Sequence, residues 1–182
     1  MAKLKFLKVP ILIHKVKNHN ELKDVILYNI DKMGNHSLNE QFNEHKQASC
    51  ISNTDWHLDS NLFRPYYDTI CPIIKNNISV LKRKLKLNCD LNLVNYWFQQ
   101  YQNGDYHEWH NHYGYYSSIY YVELPKDSVK TTFKIMDKEY EFEVTEGDII
   151  SFPSMLYHKS KPNKSNKRKT VVSFNLINLN YE

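Results

Sequence analysis

The chain has 182 residues, of which 41% are hydrophobic and 14% aromatic, and a net charge of +4 at pH 7. These values predict a packed globular domain and exclude a disordered chain. No run of eighteen apolar residues occurs, so we expect no membrane span. The basic N-terminus lacks a small-residue cleavage site, and we therefore expect a cytoplasmic protein.

Cysteine usage and charge distribution narrow the function classes further. Cys50, Cys71 and Cys89 are widely spaced and form no Cys-x-x-Cys pair, which disfavours a disulfide scaffold, a zinc ribbon or an iron–sulfur protein. Much of the excess positive charge lies in residues 159–169, which contain six Lys and Arg and no Asp or Glu. A solvated loop explains this segment better than a nucleic-acid surface does.

The first half of the sequence predicts one strand and two helices. Residues 9–16 read as a strand, and residues 21–32 have the apolar period of an amphipathic helix capped by Asn20. Residues 33–60 show no clear period and are predicted to be irregular, with a short ordered piece at 51–57. Residues 65–86 predict a second helix, provided that Pro72 falls in its first turn or interrupts it.

The second half predicts a β structure. Six runs of β-branched and aromatic residues are bounded by Gly, Pro, Asn or Asp, namely 91–98, 116–123, 131–135, 139–144, 148–152 and 170–177. Many short strands at such spacing imply an antiparallel sandwich or jelly roll. We therefore expect a mainly β protein with flanking helices.

Two histidines stand one residue apart, and a third follows later in the chain. His110 and His112 lie in the run Tyr106-His-Glu-Trp-His-Asn-His112, and His158 ends the run Phe152-Pro-Ser-Met-Leu-Tyr-His158. On a strand, residues two apart point to the same face, so His110 and His112 can present two imidazoles to one point. A third ligand from a distant strand would complete a metal site.

These runs resemble the 2-oxoglutarate- and iron(II)-dependent oxygenases, in particular a branch that includes bacteriophage-encoded proteins. The resemblance rests on four segments: Gly104-Asp-Tyr-His-Glu-Trp-His-Asn-His112, Ser117-Ser-Ile-Tyr-Tyr-Val122, Gly147-Asp-Ile-Ile-Ser-Phe-Pro-Ser154 and Ser173-Phe-Asn175. It implies a single domain, 1–182, in which a double-stranded β-helix (91–182) holds the metal between two sheets and a helix-containing part (1–90) supports it.

The resemblance implies that His110, His112 and His158 bind iron(II) as the catalytic metal. The family usually has a carboxylate where this chain has His112, so Glu108, on the same strand parity, is the leading alternative ligand, and Asp105 a weaker one. His107 is one residue off that parity and is not expected to be a ligand. The remaining histidines lack paired spacing and are assigned structural or exposed roles: His14, His19, His36, His45 and His57.

The resemblance also implies a site for 2-oxoglutarate. An Arg-x-Ser or similar pair after the distal histidine holds the co-substrate in related enzymes, and Arg168 with Thr170 fits that pattern. Only one of Arg168 and Lys169 can face inward on a strand, and we predict Arg168. Tyr96, Tyr120 and Tyr121 lie on strands expected to line the barrel, and of these we assign Tyr96 and Tyr121 to the co-substrate.

The implied activity is hydroxylation of a substrate coupled to conversion of 2-oxoglutarate to succinate. The substrate stays open among a protein side chain, a nucleobase and a metabolite, and association into a homodimer stays open too. We expect substrate contacts from residues 33–60 and the 159–167 loop. The alternatives are a cupin-like module that binds a metal or a small acid without turnover, and a structural jelly roll with incidental histidines.

Overall fold

The computed structural model describes residues 8–36, 49–59 and 61–178, and the backbone of 38–40. The basic N-terminus and part of the 33–60 stretch lie outside these residues. Within them, the chain forms two helices, α1 (His19–Asp31) and α2 (Tyr67–Leu85). The strands are β1 (Leu12–Lys15), β2 (Leu38–Glu40), β3 (Ser49–Ile51), β4 (Asn53–Thr54), β5 (Leu91–Tyr101), β6 (Tyr106–His110), β7 (Tyr116–Glu123), β8 (Thr131–Ile135), β9 (Lys138–Glu141), β10 (Asp148–Pro153), β11 (His158–Ser160) and β12 (Lys169–Asn178).

The strands form two antiparallel sheets of six strands each. The major sheet has the order β1-β10-β7-β12-β5-β4, and the minor sheet has the order β2-β3-β6-β11-β8-β9. From β5 to β8 and from β9 to β12, consecutive strands alternate between the sheets, so β6 lies in the minor sheet and β7 in the major one. This is the double-stranded β-helix, or jelly roll, and the predicted fold class is confirmed.

The outer face of the major sheet is covered by the two helices. α1 buries Ile26 and Ile30, and α2 buries Ile70, Ile74 and Leu81. These side chains form one cluster with residues of the sheet, namely Phe98, Tyr120, Val122, Val172, Phe174 and Leu176. Burial of this apolar surface, at roughly 25 cal/mol per Å², is the main term holding the helices on the sheet.

A second apolar cluster lies between the two sheets. It contains Phe133, Phe152, Tyr121 and Val171 among others. Along β7, Ile119 and Tyr121 belong to this inner cluster, whereas the residues between and beside them face the helices. Both faces of the major sheet are therefore buried, because the strand period of two sends alternate side chains to opposite faces.

Most predicted elements agree with the structure, and the differences have physical reasons. α2 begins at Tyr67 and continues through Pro72, so Pro72 neither falls in the first turn nor interrupts the helix as predicted. A proline inside a helix removes one backbone hydrogen bond, and here it is flanked by Ile70, Ile73 and Ile74, all buried in the helix cluster. Residues 33–60, predicted to be irregular, contain the short strands β2, β3 and β4. In the described part of the chain, neither helix is long and apolar enough to cross a membrane.

Candidate metal and co-substrate site

The three histidines singled out by their spacing converge in the structure. One ligand nitrogen from each of His110, His112 and His158 can be chosen so that all three atoms lie within 4.8 Å of one another. We call these residues the ligand trio. The rings of His110 and His158 are 4.2 Å apart between centroids, and the ring of His112 lies 5.0 and 5.1 Å from them.

Pairing between β6 and β11 places two of the ligands side by side. His158 is directly opposite His110, whereas Ser160 is opposite His107. Two steps along β11 therefore correspond to three steps along β6, which is the signature of a β-bulge. The bulge brings His107 and His110 to the same side of the strand, and their rings stack with centroids 3.8 Å apart.

His112 reaches the site by a different route. β6 ends at His110, so strand alternation does not position His112. Its backbone N–H donates to the carbonyl of Ser154 at 2.9 Å, just after β10. Ser154 is held in turn by the Ser117 hydroxyl, 3.0 Å from its own, and Ser117 donates to Asn175 at 2.7 Å. The Phe-Pro-Ser and Ser-Phe-Asn motifs therefore support the loop that carries His112.

The imidazoles are arranged as metal ligands require. The Nδ1 of His110 donates to the Glu108 carbonyl at 2.7 Å, and the Nδ1 of His158 donates to the Leu156 carbonyl at 3.0 Å. These bonds place the proton on Nδ1 and leave Nε2 unprotonated, as in metal sites where a backbone carbonyl fixes the tautomer. Burial lowers the pKa of all three rings, that of His112 to about 3, so they are neutral near pH 7.

A small cavity of about 20 Å³ adjoins the ligand trio between the two sheets. Its walls come from alternate residues of the central strands of the major sheet and from the minor sheet. The lining consists of Trp97, Gln99, Tyr101, His107, His110, His112, Ile119, Thr131, His158, Lys159, Ser160, Lys169, Val171 and Ser173. Hydroxyl and amide groups are thus concentrated around an otherwise buried space.

Lys169 is the buried cation of this cavity. Its side chain is 1% exposed, and its ammonium donates to the Ser160 hydroxyl at 2.9 Å and to the Val129 carbonyl at 3.0 Å. It also lies over the ring of Tyr101, 4.8 Å from the centroid. Burial lowers the pKa of Lys169 to about 7. Both of its hydrogen-bond partners are neutral, so the site can accept an anion beside it.

The inward orientation expected for Arg168 is wrong. Arg168 points away from the cavity and pairs with Glu123 at 2.8 Å and with Asp31 at 3.6 Å. Thr170 shares its parity, and its hydroxyl donates to Glu123. The strand register that places Lys169 opposite Tyr101 sends Lys169, Val171 and Ser173 inward and their neighbours outward.

The two tyrosines assigned to the co-substrate do not line the cavity. Tyr96 lies on the helix side of β5 and stacks on Tyr67, with centroids 4.8 Å apart. Tyr121 is fully buried between the sheets and donates to the hydroxyl of Thr131 at 2.8 Å. Because Thr131 does line the cavity, Tyr121 orients a wall residue. Tyr120 faces the helices, where its hydroxyl contacts the Nδ1 of His19 at 2.7 Å.

The alternative carboxylate ligands lie elsewhere. Glu108 is outside the ligand trio and outside the cavity lining, because the bulge in β6 removes it from the face that His110 occupies. Asp105 is buried and accepts hydrogen bonds from the backbone N–H groups of Ser52 and Gln102, at 2.9 and 2.8 Å. It therefore joins a turn to the strand region before β4. Within the described residues, the ligand trio contains no carboxylate.

Several cavity residues were not singled out from the sequence. Gln99 and Tyr101 line the cavity from β5, and Ser160 and Thr131 from the minor sheet. Gln99 donates from its amide to the Nδ1 of His107 at 3.2 Å, which fixes the ring stacked on His110. The signal that could have found them is the alternation Trp97-x-Gln99-x-Tyr101, which places polar groups on the inner face of a buried strand.

No protein-family profile and no curated protein matches the sequence. The structure is similar to that of a viral collagen prolyl hydroxylase from Paramecium bursaria Chlorella virus-1 in complex with 2OG, with a TM-score of 0.60, 14% identity and coverage of 90% of this chain and 94% of that chain. It is also similar to an oxidoreductase of the 2OG-Fe(II) oxygenase family from Burkholderia pseudomallei, with a TM-score of 0.68, 10% identity and coverage of 92% of this chain and 85% of that chain. A third similar structure is a prolyl hydroxylase from Trichoplax adhaerens in complex with a hypoxia inducible factor peptide fragment. Its TM-score is 0.64 at 12% identity, and the match covers 92% of this chain and 83% of that chain. At these identities the likeness shows a shared fold.

Proposed function

We propose that this chain is an iron(II)- and 2-oxoglutarate-dependent dioxygenase that hydroxylates its substrate. One observation carries the proposal: three neutral imidazoles and one buried ammonium, from Lys169, face the same cavity between the sheets of a double-stranded β-helix. The first group can hold a divalent metal, and the second can hold an anion beside it.

The ligand trio fits a metal that keeps open positions. Three imidazole nitrogens on one side of an iron(II) ion leave the other side free for a co-substrate and oxygen. Iron(II) and 2-oxoglutarate, when bound, would supply the oxidation of a C–H bond, with succinate and carbon dioxide as co-products. Since all three ligands are neutral, they leave the charge of a divalent cation uncompensated, which favours a dianionic co-substrate over a neutral one.

Lys169 replaces Arg168 as the proposed anchor for 2-oxoglutarate. It is a buried cation lining the cavity, and a carboxylate at its ammonium would form a charge-assisted hydrogen bond shielded from water. Ser160 and Tyr101 already contact the Lys169 side chain and fix its position. Thr131 and Gln99 offer further polar groups in the same space. Lys169 and Ser160 are both buried, which keeps bulk water away from the ammonium.

The structural neighbours support the assignment and favour one substrate class. Two are named as prolyl hydroxylases, one of them in complex with a peptide fragment. This favours a polypeptide side chain as the substrate here over a nucleobase or a metabolite. The cytoplasmic location, the bacteriophage origin, the single-domain organisation and a homodimer stay predictions.

The proposal is tested by succinate formation from 2-oxoglutarate. Purified protein should form succinate only when iron(II), oxygen and 2-oxoglutarate are all present, and a chelator should stop it. His158→Ala should abolish metal binding and succinate formation, whereas His57→Ala, which changes an exposed histidine, should alter neither. Tight metal binding without any succinate would instead identify a metal-binding module, and unchanged metal affinity in His158→Ala would remove that residue from the site.

A further inference from the structure

Strand β5 has an open edge close to the ligand trio. On one side β5 pairs with β12 over nearly its whole length. On the other side β4 pairs only with Gln99 and Gln100. Within the part of the chain that the structure describes, no strand lies beside residues 91–96 on that second side.

The backbone groups at this edge are aimed outward. The N–H of Phe98 donates to the Asp55 carboxylate at 2.8 Å, and its carbonyl accepts from the Thr54 hydroxyl at 2.6 Å, so both groups point away from β12. Alternation along a strand gives Tyr96 the same direction. The Tyr96 N–H and carbonyl are therefore directed away from β12, on the side where β4 pairs only with Gln99 and Gln100. They are one donor and one acceptor available to another strand.

This edge lacks the features that normally prevent strand addition. Proteins protect exposed edges with charged residues, especially Lys, or with Pro. Residues 91–96 read Leu-Asn-Leu-Val-Asn-Tyr and contain neither. The outer strand of the minor sheet, β9, is the contrasting case, since its residues Lys-Glu-Tyr-Glu are all exposed and three of the four are charged. The edge at β9 is therefore protected, whereas residues 91–96 of β5 are left able to pair.

A groove runs along the open edge and leads to the metal site. One wall is formed by Trp56, Leu58 and Arg64, and the other by residues 94–97. Trp56 is 51% exposed and Val94 is 50% exposed, so large apolar side chains border the groove. Trp97 lines both this groove and the cavity, and its ring is 5.3 Å from that of His112. A chain lying in the groove would therefore pass beside the ligand trio.

The charge of the groove favours one kind of occupant. Arg64 is the cationic residue of its lining, and Asp55 neutralises it through an ion pair of 2.7 Å. A nucleic-acid strand needs uncompensated cations along its backbone, and the lining residues offer none. Apolar walls combined with outward backbone groups instead match an extended polypeptide, which binds through main-chain hydrogen bonds and side-chain pockets.

We propose that the substrate is an extended polypeptide segment that adds to the open edge of β5, hydrogen-bonds the Tyr96 backbone and places one side chain at the ligand trio. The proposal rests on the proposed function for the chemistry, but the docking itself does not require turnover. Strand addition would hold the reacting residue at a fixed distance along the groove, so backbone recognition positions the substrate and the walls select its flanking side chains.

The probe is a pool of synthetic twelve-residue peptides with randomised positions. A matched pool carries N-methyl groups on alternate peptide bonds, which removes donors for strand pairing but keeps the side chains. Hydrogen–deuterium exchange of residues 91–98 is measured in the full chain, with and without iron(II) and 2-oxoglutarate under anaerobic conditions. We expect the first pool to slow exchange at this segment and the methylated pool to have at least tenfold less effect at equal concentration.

Matched edge variants test the location. Val94→Lys introduces at the β5 edge the kind of residue that protects β9, and it should raise the half-saturating peptide concentration at least tenfold. Tyr140→Lys makes the same change at an exposed position of β9 and should have no effect. Cobalt(II) affinity should be unchanged in both variants, because neither position contacts the ligand trio or the cavity.

The outcomes separate the docking proposal from the proposed function. Succinate formation without protection of residues 91–98 by the peptide pool would overturn docking and leave the function standing. Protection without succinate would support docking and contradict the function. Slow hydrogen exchange of residues 91–98 before peptide is added would show that the chain itself occupies the edge. Exchange that slows with protein concentration alone would show that a second copy occupies it. Either result would overturn the proposal.

Discussion

Lys169 is a lysine ammonium held away from water with only neutral partners. Such a group is costly to bury, and binding an anion offsets part of that cost. Arg168, one residue earlier, already has Glu123 as its partner near the surface. The two adjacent cations therefore have opposite environments, and substitutions should separate their roles.

Lys169→Met should raise the 2-oxoglutarate concentration for half-maximal succinate formation about a hundredfold or more. Leaving one partner of a buried ion pair unpaired costs about 3–5 kcal/mol, and each 1.4 kcal/mol is about tenfold in affinity. Arg168→Met should change this concentration by less than about fivefold, because exposed pairs contribute about 0–1 kcal/mol. Steady-state kinetics at saturating iron(II) measures both, and the reverse ranking would contradict the assignment of Lys169.

The affinity for 2-oxoglutarate should fall as the pH rises above 7. The pKa of Lys169 is about 7 in the unliganded protein, and a bound carboxylate stabilises the ammonium and raises this pKa. Above pH 7 binding must therefore take up a proton, which weakens the affinity by up to about tenfold per pH unit. Calorimetric titration with 2-oxoglutarate between pH 6 and 9, using zinc(II) as the resident metal, measures this slope. Lys169→Met should lack the slope, and an equal slope in that variant would assign it to another group.

Residue-level reasoning identified the ligand trio but not which neighbour faces the cavity. The histidines could be found because their spacing matches a metal-binding pattern. A bulge in β6 adds one residue to the strand, so that His107, and not Glu108 as parity predicts, lies on the same face as His110. The apolar–polar alternation of such a short run gives no indication of a bulge. Arg168 and Lys169 could not be distinguished because β12 is buried on both faces and lacks an apolar–polar alternation that would fix the parity.

At the scale of elements, the segment between β6 and β7 determines where His112 lies. Gly114 in this segment has φ +136°, a conformation that side chains disfavour. A Cβ added there would lie 3.1 Å from the carbonyl oxygen of Leu176 and 3.2 Å from the hydroxyl of Ser154. Since Ser154 also binds the backbone of His112, a shift at Gly114 is transmitted to a metal ligand.

Gly114→Ala should destabilise the protein by about 1–3 kcal/mol through backbone strain and should lower its affinity for cobalt(II) at least tenfold. Gly104→Ala is the matched control, because Gly104 also has positive φ, +87°, but a Cβ there meets nothing within 4 Å. It should lose stability without losing metal affinity. Urea unfolding and metal titration measure the two quantities, and equal metal affinity in both variants would show that this segment does not position His112.

At the scale of the whole molecule, the sequence predicted the class and order of the elements better than their pairing. The helices at 21–32 and 65–86 and the strands at 116–123 and 131–135 were found because their apolar periods are long or their boundaries sharp. β11 was not among the predicted strands, because its run His-Lys-Ser is only three residues long and carries little β propensity. Pairing with β6 and β8 in the minor sheet makes it a strand.

Metal binding should stabilise the whole fold through the ligand trio. A ligand at a hundred times its dissociation constant adds about 2.7 kcal/mol, and each kcal/mol shifts the melting temperature of a protein of this size by about 2–4 °C. Cobalt(II) should therefore raise Tm by about 5–10 °C, and EDTA should reverse the change. Differential scanning calorimetry of the parent and His158→Ala provides the comparison. A similar rise in His158→Ala would place the bound metal elsewhere.

The major sheet separates the two apolar clusters, and this separation affects which substitutions the protein can tolerate during evolution. The helices pack on one face of that sheet, while the cavity, its polar lining and the ligand trio lie on the other. Substitutions that reshape the cavity leave the helix-packed cluster intact, so new substrates can be explored without first losing the fold. The same scaffold can therefore be retargeted by a few changes to the polar lining of the inner face, while the helix-packed cluster keeps its composition.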